Sequence, residues 1–209
     1  MKNIYMFITG FMLTIYFPVY SFSQESDSSE TEKWNINLEA NFYFSDPFIF
    51  TPVVQADKKK LHLEARYNYE DEKTFSGWAG YNFSGGKNFE YKIIPMAGFL
   101  AGNIDGASAG IELTFNFAGF ELNSNPEYVF DFNDGENNFY YNWTDFSYSP
   151  ADWLFFGISY ENTVENNSSS DIQAGFLAGG SYKNWELTAY LYNLSIDDPF
   201  VLITVSVEL

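Results

Sequence analysis

The stretch from Lys60 to Asp71 concentrates the side chains of this protein that could do chemistry. It contains His62, the one histidine among 209 residues, and Arg66, the one arginine, together with Glu64, Asn68 and Glu70. A histidine oriented by Glu64 or Glu70 could act as general base toward Ser76 on the following segment, the constellation of a hydrolase. His62 and Ser76 are weak catalytic candidates, because His62 and Glu64, two apart on a strand, are expected to share a face without a hydrogen bond between them. The chain has Cys 0, which removes thiol nucleophiles, disulfides and thiolate metal sites. A single histidine excludes a His-rich metal centre, and no metal-ligand spacing, Gly-rich phosphate loop or paired-acid glycosidase signature is present. Neither metal nor cofactor is expected, and the balance is against an enzyme.

The same residues say what element carries them. Leu61, Leu63, Ala65, Tyr67 and Tyr69 alternate with His62, Glu64, Arg66, Asn68 and Glu70, the period of a β-strand with one apolar and one polar face. A row this charged belongs either in open water or in a wet interior where charges answer one another. The expected interior network is His62, Glu64, Arg66, Asn68 and Glu70, joined by Glu90, Lys92 and Glu112 from neighbouring strands.

Composition narrows the partners. The formal net charge is −18 and aromatic residues make up 21% of the chain. An acidic chain lacks the basic footprint that nucleic acid demands. The aromatic content exceeds what an ordinary soluble core uses. Residues 1–23 have the pattern of an export signal: Lys2, an apolar run from Ile4 to Tyr20, then Ser21-Phe22-Ser23 as a small-residue cleavage site. Residues 24–32 form an acidic, polar lead-in expected to be disordered, and 33–209 form one domain.

That domain alternates throughout. Trp34 to Phe44, Phe75 to Phe83, Phe89 to Ile93, Ala109 to Phe117, Phe120 to Asp131, Phe139 to Thr144, Leu154 to Tyr160, Ile172 to Ala178, Trp185 to Leu191 and Val201 to Leu209 all read as strands. In 139–144, Phe139, Tyr141 and Trp143 would form the apolar face, opposite Tyr140, Asn142 and Thr144. Prolines at 47 and 52 make residues 46–56 an edge-like, bulged or loop segment, Pro95 suggests a bulge and Pro126 a phase slip. Strands of about 9–11 residues suit a bilayer crossing. The fold class expected is all-β: an antiparallel up-and-down transmembrane barrel of about twelve strands, with ten as the alternative. Turns at 84–88, 118–119 and 149–152 would be periplasmic, and the polar 162–170 loop would face outside. Trp34, Phe44, Phe83, Phe117 and Trp185 fall where aromatic girdles sit.

The segments LHLEARYNYED (61–71), GYNFS (80–84), Pro95-Met96 with Gly98, EYVFD (127–131) and FYYNWTD (139–145) resemble a family of uncharacterised bacterial outer-membrane β-barrel proteins, over most of 40–209. The resemblance implies location in the outer membrane and a barrel fold, with no activity attached. Strand 199–209 would address the barrel-assembly machinery, although Leu209 stands where such strands usually end in Phe. Three functions stay open: a barrel with a packed, salt-bridged interior, a narrow pore whose acid lining favours small cations or polar solutes, and a lipid hydrolase using His62. A secreted soluble barrel or sandwich that binds a ligand is the alternative to membrane insertion. Membrane insertion predicts heat-modifiable migration on a gel and a requirement for detergent; a chain that stays soluble without detergent would overturn it.

Overall fold

The structure, a computed structural model, describes residues 33–165, 170–194 and 198–209. The expected export signal (1–23) and lead-in (24–32) lie outside these residues. The strands in chain order are β1 (Asn35–Phe44), β2 (Ile49–Lys58), β3 (Leu61–Tyr67), β4 (Phe75–Tyr81), β5 (Phe83–Gly85), β6 (Phe89–Ala101), β7 (Gly106–Phe117), β8 (Phe120–Asp131), β9 (Phe139–Ala151), β10 (Leu154–Glu165), β11 (Asp171–Tyr182), β12 (Trp185–Tyr192) and β13 (Phe200–Glu208). Strands pair antiparallel with their neighbours in sequence, β1 pairs with β13, and β4 and β5 both pair with β6. β4 and β5 are therefore two halves of one stave. The sheet closes as a barrel of twelve staves in up-and-down order, in agreement with the larger of the two expected counts.

Pro52, Pro95 and Pro126 interrupt the ladder without shifting it, whereas beside Pro150 the register does shift, between Leu154–Ala151 and Phe156–Tyr148. β4 meets β6 at Gly80–Met96 and β5 meets it at Phe83–Ile93, in one continuous register. The break at Asn82 lies beside Pro95, which has no N–H to give. No residue is inserted, so the bulge expected at Pro95 is absent. The phase slip expected at Pro126 is absent as well. β8 holds one register with β9 from Phe120–Tyr148 to Val129–Phe139, while its ladder to β7 merely skips from Gly110–Glu127 to Leu113–Ser124. Pro52 is accommodated inside β2, opposite Ala40 and one residue before the β2–β3 ladder begins at Val53–Arg66.

The two ends of the barrel differ. The connections at 59–60, 86–88, 118–119, 152–153 and 183–184 are tight and lie at the same end as Asn35 and Glu208. Lys59, Ala118 and Lys183 adopt the left-handed backbone that such reversals need. Longer connections at 68–74, 102–105 and 132–138 occupy the other end; of the loop expected at 162–170, residues 162–165 belong to β10 and 166–169 lie outside the described residues. This is the asymmetry of outer-membrane barrels, with short turns toward the periplasm and long loops outside. The segments 84–88, 118–119 and 149–152 fall at the tight end as expected. The last of these narrows to 152–153 because β9 continues to Ala151.

Alternation sets the two faces. Outward residues at the tight end include Phe83, Phe89, Phe117, Phe120, Trp153 and Trp185, and at the loop end Phe44, Phe48, Phe75, Phe99 and Phe130, all exposed. Two aromatic girdles thus bracket an outer belt containing Leu38, Val54, Leu63, Ile158 and Leu187. One strand reverses the sequence-based expectation. In β9 the trio Phe139, Tyr141 and Trp143 points inward, with Phe139 and Trp143 buried. The smaller Asn142 and Thr144 face out, because their register partners on β8 and β10 are outward-facing too. In hydrocarbon they require partners, and they find them locally. Ser124 Oγ lies 2.8 Å from Thr144 Oγ1 and 3.1 Å from Asn142 Oδ1, and Asn142 Nδ2 donates to Thr144 Oγ1 at 3.0 Å.

A belt in lipid penalises charge by depth. Ile203 lies mid-strand between the buried, inward Leu202 and Thr204, and Val207 lies near the tight end. Ile203→Arg should destabilise the folded barrel in bilayers by about 2–4 kcal/mol, and Val207→Arg by about 0–1 kcal/mol. Denaturant unfolding from liposomes measures both, and equal costs would contradict the membrane orientation.

Candidate functional site

The interior has two unlike poles. On the β2–β4 and β6–β8 wall lies a charged set centred on Arg66. On the β9–β13 wall lies an aromatic cluster of Trp143, Leu177, Tyr190, Tyr192 and Leu202, with Tyr43, Tyr141, Phe155 and Phe200 packed against it.

Arg66 is 4% exposed and is held by three carboxylates. Its Nε and Nη2 donate to Glu64 Oε2 at 2.9 and 2.5 Å, and Nη1 reaches Glu127 Oε2 at 2.9 Å and Glu70 Oε1 at 3.5 Å. The guanidinium also lies against two rings, 4.3 Å from the centroid of Tyr69 and 4.7 Å from that of Trp78, where the ring quadrupole attracts a cation. Glycine makes the second contact possible. A Cβ at Gly98 on β6 would stand 2.5 Å from the Trp78 ring, so only glycine lets the indole lie flat on the wall. Glu70 is fixed from a second side, by Ser76 Oγ at 2.7 Å and Trp78 Nε1 at 3.1 Å.

Of the residues expected at this site, His62, Glu64, Arg66, Glu70, Lys92 and Glu112 come together. His62 is 1% exposed; its Nδ1 lies 2.9 Å from Asp57 Oδ1 and its Nε2 lies 3.8 Å from Glu112 Oε2. Lys92 Nζ reaches Asp57 Oδ2 at 3.4 Å. Asn68 and Glu90 are not in the network. Asn68 has φ 56° and serves the turn after β3, donating to Phe50 O and accepting from Lys73 N. Its left-handed backbone also shifts the phase, so Tyr69, expected on the apolar face, turns inward over Arg66. Glu90 is exposed near the tight end of β6.

Ser76 and His62 serve different acids, Glu70 and Asp57. Ser76 pairs in register with Arg66, whereas His62 pairs with Gly80, about 13 Å of strand away. That spacing puts no base on a nucleophile, and the geometry gives the hydrolase no support.

Sequence reasoning missed Glu127, Asp57 and Asp145. Asp145 lies at the aromatic pole, where Trp143 Nε1, Ser159 Oγ and Tyr190 Oη donate to it at 2.9, 2.5 and 3.0 Å. Its place on the β9 inward row was the available signal, obscured by taking that row as lipid-facing.

Between the poles run cavities. One of about 200 Å³ is lined by Glu39, Glu64, Glu112, Asp145 and Glu186 together with Arg66. A second of about 260 Å³ toward the tight end shares Asn123, Asp145, Glu186, Thr188 and Tyr190 with it and adds Glu121 and Asp152. A third of about 450 Å³ under the loops, lined by Glu70, Asp71, Glu136 and Glu165, meets the first only at Tyr69. Tyr69 packs edge-on against Tyr141 with ring centroids 5.9 Å apart, which marks the narrow level.

No protein-family model matches the sequence, and no curated protein matches it. Solved structures match by fold. The KdgM porin superposes with TM-score 0.56 at 13% identity, covering 83% of this chain and 98% of its own, and the KdgM porin in complex with disordered oligogalacturonate gives the same values. Pseudomonas aeruginosa OccK5 (OpdH) is a looser match, with TM-score 0.46 at 10% identity over 82% of this chain and 62% of that one. The chain thus shares the closed antiparallel β-barrel fold of the KdgM porin.

Removing the cation would strand its acids. Arg66→Met leaves Glu64, Glu70 and Glu127 buried without a counter-ion and should cost about 3–5 kcal/mol. Adding Glu127→Gln should recover part of that loss, as read from denaturant midpoints in detergent. An Arg66→Met barrel as stable as the parent would show that the set contributes nothing.

Proposed function

We propose that the barrel is a narrow outer-membrane pore favouring small cations or cationic polar solutes. The observation that supports this most is the lining of the two joined cavities, where carboxylates from β1, β3, β7, β8, β9 and β12 face a space to which, among the described residues, Arg66 alone brings a positive charge. Acid rings raise the local cation concentration and repel anions. The KdgM porin of like fold is described with oligogalacturonate, a carboxylated saccharide; an acid lining would oppose such a chain, so the solute proposed here has the opposite sign. In this proposal residues 1–23 direct export and are removed, residues 24–32 lead into the barrel, and segment 199–209 is recognised by the barrel-assembly machinery. The network His62, Glu64, Arg66, Glu70, Glu127 and Glu112 serves as the fixed wall of the passage and Tyr69 as its narrowest level.

A closed, purely structural barrel is the second reading, favoured by the Tyr69–Tyr141 contact. Planar-bilayer recording separates the two. A pore gives discrete conductance and a cation-sided reversal potential under a salt gradient, and the double variant Glu39→Gln with Glu186→Gln moves that potential toward zero. A silent bilayer or an anion-sided potential would overturn the pore.

A further inference from the structure

The charged pole holds a second arrangement, which shares Glu64 with the Arg66 cluster. His62 Nε2, a carboxylate oxygen of Glu64 and one of Glu112 all lie within 4.8 Å of one another. We propose that these three side chains form a binding site for a divalent transition-metal ion of the zinc class on the lumen wall.

Three features carry the assignment. First, His62 Nε2 is fully buried and has no hydrogen-bond partner, yet it is aimed at Glu112 Oε2, 3.8 Å away. A buried ring nitrogen left without a partner is costly, and an ion between the two would satisfy both. Second, Asp57 Oδ1 stands 2.9 Å from Nδ1 on the far side of the ring. A carboxylate there accepts the Nδ1 proton, fixes the tautomer that leaves an Nε2 lone pair free, and raises its basicity, as the supporting carboxylates of metal-bound histidines do. Third, the two acids are themselves held. Gln55 Nε2 donates to Glu64 Oε1 at 2.8 Å and to Glu112 Oε1 at 3.5 Å, and Arg66 fixes Glu64 Oε2.

The spacing is near what coordination needs. Ligands about 2.0–2.2 Å from one ion stand about 3.4 Å apart at tetrahedral angles, so carboxylate movements of roughly 1–1.5 Å, within reach of a glutamate rotamer adjustment, close the set. One imidazole with two carboxylates selects ions of the zinc, manganese or iron(II) kind, whereas magnesium prefers all-oxygen surroundings and keeps its waters. The competing arrangement is a protonated His62 bridging Asp57 and Glu112, with Lys92 also on Asp57. It is a structural ion pair that takes no metal.

The test uses the tag-free chain folded in detergent and does not depend on conduction, so it stands apart from the pore proposal. Zn²⁺ is titrated at neutral pH in competition with a chromogenic chelator. The expected result is one saturable ion per chain, at least about tenfold weaker in His62→Ala and in Glu112→Gln and about 10–100-fold weaker in Asp57→Asn. Glu90→Gln leaves the affinity unchanged, and excess Mg²⁺ does not compete. Heat-modifiable migration verifies that each variant is folded, with His62→Gln replacing His62→Ala if the latter is not. Absence of saturable binding by the parent chain, or binding that survives both His62 and Glu112 substitutions in folded protein, would overturn the site.

Discussion

A hydrocarbon surround has no hydrogen bonds to offer, so every backbone N–H and C=O along the wall must be answered by a neighbouring strand. The pairing of β1 with β13 is the contact that makes this possible for the whole sheet, since without it two full edges would lie bare in lipid. Closure then dictates the rest. Alternate side chains must go in or out, the outer ones must be apolar or satisfied among themselves, and the inner ones are free to be polar. The set Ser124, Asn142 and Thr144 shows the rule at its limit, three polar groups on the lipid side that answer one another.

Inside, the barrel solves the problem of a crowded acidic lining in two ways. Around Arg66 it uses charge: one guanidinium is shared by three carboxylates and lies close to the rings of Tyr69 and Trp78. Around Asp145 it uses neutral donors, with an indole, a hydroxyl and a phenol in place of a cation. The aromatic pole also fills volume that a twelve-stave barrel would otherwise leave open.

Alternation made the barrel legible from sequence, and it did so because closure forces a strict period of two on nearly every stave. β3 could be read residue by residue up to Tyr67. It failed at Asn68, where a left-handed residue ends the strand and turns Tyr69 inward; a polar asparagine in an alternating row looks the same whether it lines a wall or makes a turn. The faces of β9 could not be told apart because Phe, Tyr and Trp suit a lipid belt and an aromatic lumen equally. Pro95 and Pro126 suggested irregular register, yet a proline with no inserted residue removes a bond and keeps the count. Glu127 was invisible as a partner of Arg66 because the two are 61 residues apart and meet only across the lumen.

Those two prolines leave one more mark. Pro95 on β6 stands opposite Ile111 on β7, and the β7–β8 ladder skips Ile111 and Glu112 beside Pro126. The ladders on either side of the β6–β7 pair thus lapse at one height, at Asn82 and at Ile111–Glu112, while β6 and β7 stay fully paired to each other. In mechanical terms this sector is the compliant part of an otherwise stiff hoop. Glu112 stands at that lapse, paired to Ile94 on β6 and skipped in the ladder to β8, so its stave has slack on one side next to His62.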